Sequence, residues 1–197
     1  MMRGIFRTLL LMGAATFTTT LLHGQQPAIA ASHVETDLAL TYSVQRSNQT
    51  NGASFWQQGG ALDLSAQFYH GWGIAMNVAG ERASNINNSN VNLTMVATTF
   101  GPRYTWSLPS RKLTVFGQGL IGEAFGSDSI FPTPRGAQTD TTSFALQVGG
   151  GVDLRLSKHL AVRLLQADWL RTQFPNARTN VQNNLRLGAG IVFRFPR

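Results

Sequence analysis

Along most of the chain, apolar and polar residues change places at every step. From Val34 the even positions read Val34, Thr36, Leu38, Leu40, Tyr42 and Val44, and the odd positions read Glu35, Asp37, Ala39, Thr41, Ser43 and Gln45. Successive side chains of a β-strand point to opposite faces, so this period of two predicts a strand with one apolar and one polar face. The same alternation predicts strands over 62–69, 72–79, 91–98, 143–156 and 185–195. In 91–98 the apolar face is read as Val91, Leu93, Met95 and Ala97. Gly101 and Pro102 interrupt the next few residues, which predicts a bend after which Tyr104 and Trp106 carry the aromatic face on the other parity. Over 113–124 large residues fall on both parities, so a strand is predicted without assigned faces. Over 160–170 the parity changes midway, and a β-bulge near Leu164–Leu165 would keep Arg163, Gln166 and Asp168 on one face.

That makes eight strands of about ten to thirteen residues, where soluble sandwich strands average about five or six. A strand of about ten residues, tilted near 45°, crosses the hydrocarbon of a bilayer. The connections have a rhythm. They are long around Arg46–Trp56, tight at His70–Gly71, long over 81–90, short over 107–111, longest over 125–141, tight at 157–159 and long over 172–180. Alternating long and short connections are the pattern of outer-membrane barrels, whose short turns face the periplasm. The predicted fold is therefore all-β, an eight-stranded antiparallel up-and-down transmembrane β-barrel. Trp56, Trp72, Trp106 and Trp169 all fall near predicted strand ends, which fits interfacial aromatic girdles.

The first thirty residues read as an address. A basic start, "MMRGIFR", precedes the apolar "TLLLMGAATFTTTLL" and the small residues of "AIAA". This is a secretion signal over 1–30, cut before Ala31 or earlier, near Gln25. Residues 31–197 then form the barrel domain. Composition agrees with a β-protein: charged residues are only 13% and glycines number 20. The net charge of +7 becomes +5 once Arg3 and Arg7 leave with the signal. The remaining basic residues are scattered singly, whereas nucleic-acid binding needs a clustered stripe, so no nucleic-acid partner is expected. The absence of cysteine excludes disulfides, thiolate metal sites, cysteine nucleophiles and a lipidated cysteine.

With the apolar parity toward lipid, the polar parity fills the lumen. It carries Glu35, Asp37, Asp63, Asp153, Arg155, Arg163, Asp168, Arg186 and Arg194, a proposed lumenal charge network. Eight strands leave an interior just wide enough for side chains. The inward Gly149, Gly151, Gly188 and Gly190 are expected to make room for long arginines opposite. Little chemistry stands out. His33, His70 and His159 fall at the periplasmic end and are too dispersed for a metal site. Glu35 and Asp37 could form an acid/base pair but read better as partners of lumenal arginines. "QVGGGVDLRL" lacks the spacing and Lys of a phosphate loop. "NQT", "NNS" and "NLT", at Asn48, Asn87 and Asn92, match glycosylation tripeptides that a bacterial barrel would not use. No catalytic, cofactor or metal residue is assigned and no cofactor is expected.

In strand number, loop rhythm and C-terminal strand the chain resembles the small outer-membrane β-barrel families, the OmpA-type transmembrane domain and its OprF-like relatives, and "FGPRYTW", "HLAVRLLQADWL" and "NNLRLGAGIVFRF" resemble a subgroup of bacterial barrel proteins that implies a fold and a location but no activity. The resemblance runs from about Val34 to Phe195 and implies the cell outer membrane, outer-membrane lipid as surroundings and the barrel-assembly machinery as a partner. In those families the last strand carries an assembly signal, here matched by Gly190, Phe193 and Phe195. Gly188 stands at the usual polar position and Pro196–Arg197 follow the usual terminal Phe. The expected role is non-enzymatic, structural or in surface interaction through the long external loops. Two other readings stay open: a secreted lipocalin-like barrel binding an apolar ligand, and a small outer-membrane channel.

Overall fold

A computed structural model describes residues 34–48, 54–88, 90–108, 112–134, 136–176 and 179–195. The predicted secretion signal and its cleavage site, His33, Pro196 and Arg197 lie outside the described residues. Eight long strands close into a barrel: β1 (Glu35–Asn48), β2 (Ser54–Tyr69), β3 (Trp72–Ala83), β4 (Leu93–Ser107), β5 (Leu113–Ser127), β8 (Thr141–Arg155), β9 (Leu160–Thr172) and β10 (Gln182–Phe195). Each pairs antiparallel with its neighbours in sequence, and β1 closes on β10. Between β5 and β8 a small hairpin, β6 (Phe131–Thr133) with β7 (Gly136–Gln138), stands apart from the barrel sheet. Closure leaves no strand edge unpaired in the barrel wall.

The strands run to 16 residues in β2. Segments read from sequence as loop therefore belong to the wall. Arg46 and Trp56 face each other across the β1–β2 ladder. Glu81 and Arg82 are the last turn-proximal residues of β3. The tight β2–β3 turn is His70–Gly71, both at positive φ (41° and 90°), the geometry that joins twisted strands in two residues.

The fourth strand corrects its predicted bend. β4 runs unbroken from Leu93 to Ser107, and Phe100 pairs with Ile121 in the same register as Arg103 with Gln118. Met95 and Ala97 are buried and Val96 is exposed, so the faces predicted for 91–98 are reversed. The physical reason is that the lumen is not polar throughout: at the long-connection end its β4, β5 and β8 side is lined by Met95, Ala97, Ala124 and Ala145, while Ser47, Gln57 and Asn184 line the side of β1, β2 and β10, so on β4 polarity no longer marks the inward face. β5 turns Thr114, Phe116, Gln118, Leu120 and Ala124 inward. The β9 bulge falls where expected. Val152 pairs with Leu165 and Asp153 with Arg163, and Leu164 and Leu165 both face outward.

Outward-facing side chains are apolar across the middle of the wall, among them Leu40, Leu62, Leu64, Ile74, Met76, Val148, Leu187 and Ile191. An antiparallel barrel with an apolar outside and a polar centre is built for lipid, the inverse of a soluble ligand-binding barrel. All four tryptophans face outward. Trp72, Tyr104 and Trp106 form an edge-to-face row at the tight-turn end, with ring centres 5.0 and 4.4 Å apart. Trp56 and Trp169 lie toward the long-connection end. Two aromatic belts result.

Candidate functional site: the barrel lumen and its outer mouth

The centre of the lumen holds two linked groups of ions. In the first, Arg103 Nη2 donates to both oxygens of Asp63 at 2.6 and 2.8 Å and also bonds Gln118. Arg163 donates to Asp153 at 2.9 and 3.1 Å and approaches Asp63 at 3.5 Å. Both guanidinium groups also lie over the Phe116 ring, 4.3 Å (Arg103) and 4.5 Å (Arg163) from its centre, whose negatively polarised face attracts cations, and they meet at the shared Asp63 carboxylate. In the second group, Arg186 bonds Asp168 at 3.1 Å and Asn77 at 2.9 Å and reaches Glu81 at 3.5 Å. Gln166 and Gln118 tie the groups together by donating to Asp168 at 2.7 and 3.2 Å. Every charge here is almost wholly buried. Such pairs cost desolvation, which is offset only when geometry is good and the remaining donors are satisfied. The shared carboxylates and bridging amides meet that condition in the first group, whereas in the second the buried Glu81 Oε2 has no hydrogen-bond partner.

The structure thus brings Asp63, Asp153, Arg163, Asp168 and Arg186 together in the centre. The other four residues of the proposed network sit apart, at the tight-turn end. Glu35 is exposed, and with Asp37, Arg155, Lys158 and Arg194 it lines a small cleft there. Arg194 faces Asp37 at 3.8 Å, too long for a hydrogen bond, and the buried Nε atoms of Arg155 and Arg194 have none. His70 and His159 occupy turns at the same end. Among the described residues no cluster of His, Asp and Glu fits a metal ion.

Sequence reasoning missed Arg103, Glu81, Gln118 and Phe116, and it placed Asn77 on the inward parity without naming it in the network. Continuing the odd parity of β3 from Gly73 through Ala79 reaches Glu81, so that residue had a usable signal. The inward glycines also have a different function from the one expected. A Cβ on Gly151 would come within 2.8 Å of the Phe116 ring. One on Gly149 would collide with Asp168. Gly149 and Gly151 make room for a carboxylate and an aromatic ring, while a Cβ on Gly188 or Gly190 would first meet the β1 backbone at Tyr42 or Leu40; an arginine is nearest to none of the four.

Above the ions, at the long-connection end, the lumen becomes apolar on its β4, β5 and β8 side. Met95, Ala97, Ala124, Phe131, Ala145, Leu170 and Phe174 form a buried cluster, with Phe131 contributed by the β6–β7 hairpin and Phe174 by the β9–β10 connection. Over this cluster opens a cleft of about 390 Å³.

A family model for the outer membrane protein beta-barrel domain matches residues 13–195. Among solved structures, Neisserial surface protein A superposes with a TM-score of 0.58 at 13% identity, covering 82% of this chain and 97% of that one. Ail, the attachment invasion locus protein of Yersinia pestis, gives 0.57 at 16% identity, covering 83% and 99%. A crystal structure of Ail with the heparin analogue sucrose octasulfate gives 0.56. A comparison with curated proteins finds no match. These likenesses fix the fold, and the matched family model spans nearly the whole chain: it belongs to the outer membrane protein beta-barrel domain family and resides in the cell outer membrane.

Proposed function

We propose that this is a non-enzymatic barrel that works through the surface its long connections present outside the cell, on a lumen plugged by side chains. The observation that carries the reading is the asymmetry of the two ends. One end has turns as short as His70–Gly71, whereas the other gathers the β6–β7 hairpin, the 3-10 turn Ile86–Asn88 and the Phe174 segment over a closed lumen. Long loops on a rigid scaffold are where recognition usually resides. Ail, on the same kind of scaffold, is named for attachment and was crystallised with a heparin analogue.

Arg46, Arg82 and Arg171 point outward near the long-connection ends of their strands. By sequence, Arg135 and Arg178 belong to the same connections. Asp128 and Asp140 stand exposed at the same end, Asp128 3.8 Å from Arg82, and the arginines still outnumber them; this basic rim suits anionic groups, whether headgroups of the surrounding outer-membrane lipid or a polyanionic surface. Assembly would proceed through the barrel-assembly machinery, with Gly190, Phe193 and Phe195 as its signal.

The test compares cells carrying the full protein, cells lacking it, and cells in which 128–140 is replaced by a short Gly–Ser turn. Retention on heparin-coated glass is expected to fall in the second and third. Equal retention in all three sinks the surface reading. Mass spectra of lipid A from the same cells test the other half: a reproducible change in acyl chains that depends on the protein would show it to be an enzyme.

A further inference from the structure

The cleft at the long-connection end has an unusual floor. Gln57 Nε2 donates to Ser47 Oγ at 2.6 Å, Ser47 Oγ donates to Asn184 Oδ1 at 2.5 Å, and Asn184 Nδ2 donates to the Leu170 carbonyl at 3.0 Å. All three side chains line the cleft and are buried. Gln45 Nε2 also donates to Ser47 Oγ at 3.4 Å, and two acceptors of this group have no donor: Oε1 of Gln45, which does not line the cleft, and Oε1 of Gln57, a residue 2% exposed that does. A buried acceptor without a donor has given up water and gained no partner in exchange, which favours a ligand that supplies the donor.

The walls are apolar: Met95, Leu93, Ile86, Phe131 and Phe174. They are also held in place. Phe174 is clamped by Gln182, which accepts from its N–H at 2.8 Å and donates to its carbonyl at 3.0 Å. Among the described residues no Asp, Glu, Lys or Arg lines the cleft, although the rim outside it is basic. A charged ligand entering it would lose water without gaining a counter-ion. The volume of about 390 Å³ lies in the range of small-molecule pockets, which pair apolar walls with a few fixed polar groups.

We infer that this cleft is a binding site for a small uncharged amphiphile, with an aromatic or short alkyl body packed against Met95, Phe131 and Phe174 and a hydroxyl or N–H donor bonded to Gln57 Oε1. The inference rests on the reading of this end as the working face. It concerns the neutral mouth and not the basic rim, so the cleft can fail while loop-dependent adhesion stands.

Within residues 34–197 the only methionines are Met76 and Met95. Met76 faces lipid and Met95 lines the cleft. Carbon-13 labelling of the methionine methyl groups therefore gives one reporter for partitioning into lipid and one for the site. The protein in lipid nanodiscs is titrated with 4-phenylphenol, with its methyl ether, which has no donor, and with biphenyl-4-carboxylate, which is charged. The Met95 signal is expected to shift saturably with the phenol and to need roughly tenfold more ether, the cost of one hydrogen bond. The carboxylate is expected to leave Met95 unmoved. In Gln57→Leu the phenol should bind no better than the ether. A shift of Met76 alone overturns the site. Equal affinity of phenol and ether for the unaltered chain, a comparison that needs no variant, overturns the role of Gln57.

Discussion

Asp63 takes hydrogen bonds from Arg103 and an ion pair from Arg163 at the centre of the lumen, where all three side chains are buried. Removing it leaves two buried guanidinium groups short of a partner. Asp63→Ala is therefore expected to destabilise the folded barrel by about 3–5 kcal/mol, read as a lower urea midpoint for unfolding in lipid vesicles. The surface pair Arg82–Asp128, with both side chains more than half exposed at 3.8 Å, gives the contrast. Arg82→Ala should change stability by less than about 1 kcal/mol. Equal shifts in the two variants would show that the lumenal ions are far better hydrated than their burial implies. At this scale the sequence was legible where a charge interrupted a clean alternation, as at Arg163, Asp168 and Arg186. It was not legible at Phe116, because an aromatic ring on the inward face of a strand with large residues on both parities carries no mark of direction. Only the two arginines over its ring, brought from β4 and β9, reveal what it does.

Strands were legible by their period, and the bulge at Leu164–Leu165 by its parity change. What periodicity could not deliver was the sign of a face. In β4 both faces are apolar near the long-connection end: Met95 and Ala97 turn to a greasy mouth, Val96 and Phe100 to lipid. With no charge to break the tie, the strand read as bent, and Arg103 was lost with it. β10 poses no such ambiguity. Arg186 and Arg194 are buried, while Leu185, Ile191, Phe193 and Phe195 are exposed to lipid. Phe195 pairs with Thr36 at the tight-turn end, where β10 closes the barrel on β1. On the reading that this strand carries the assembly signal, Phe195→Asp should lower the amount of folded protein in outer membranes severalfold, whereas Phe195→Leu should retain most of it. The measure is the heat-modifiable band on a denaturing gel, run with and without boiling. Equal folded fractions in the two variants would remove Phe195 from the signal.

On the plugged reading, the barrel taken as one object is sealed twice by different physics. The central ions fill the lumen, with Arg163 and Asp63 each about 1% exposed. Above them Met95, Leu170, Phe131 and Phe174 close the mouth with apolar surface that water wets poorly. An ion crossing from the long-connection end would first shed its hydration in the apolar layer and then displace guanidinium groups already paired. Either layer alone opposes conduction, and the ion meets them in series, so the barriers compound. The purified chain in planar bilayers bathed in concentrated KCl is accordingly expected to give no stepwise current, while a general porin in the same bilayers does. Regular steps from the unaltered chain would mean that the arginine pairs exchange partners readily enough to let water through, and the plugged reading would fall. Mutating the mouth alone separates the layers. Phe131→Ser with Phe174→Ser should leave the bilayer silent if the ions suffice as a seal, and should produce steps if the apolar mouth is the true barrier.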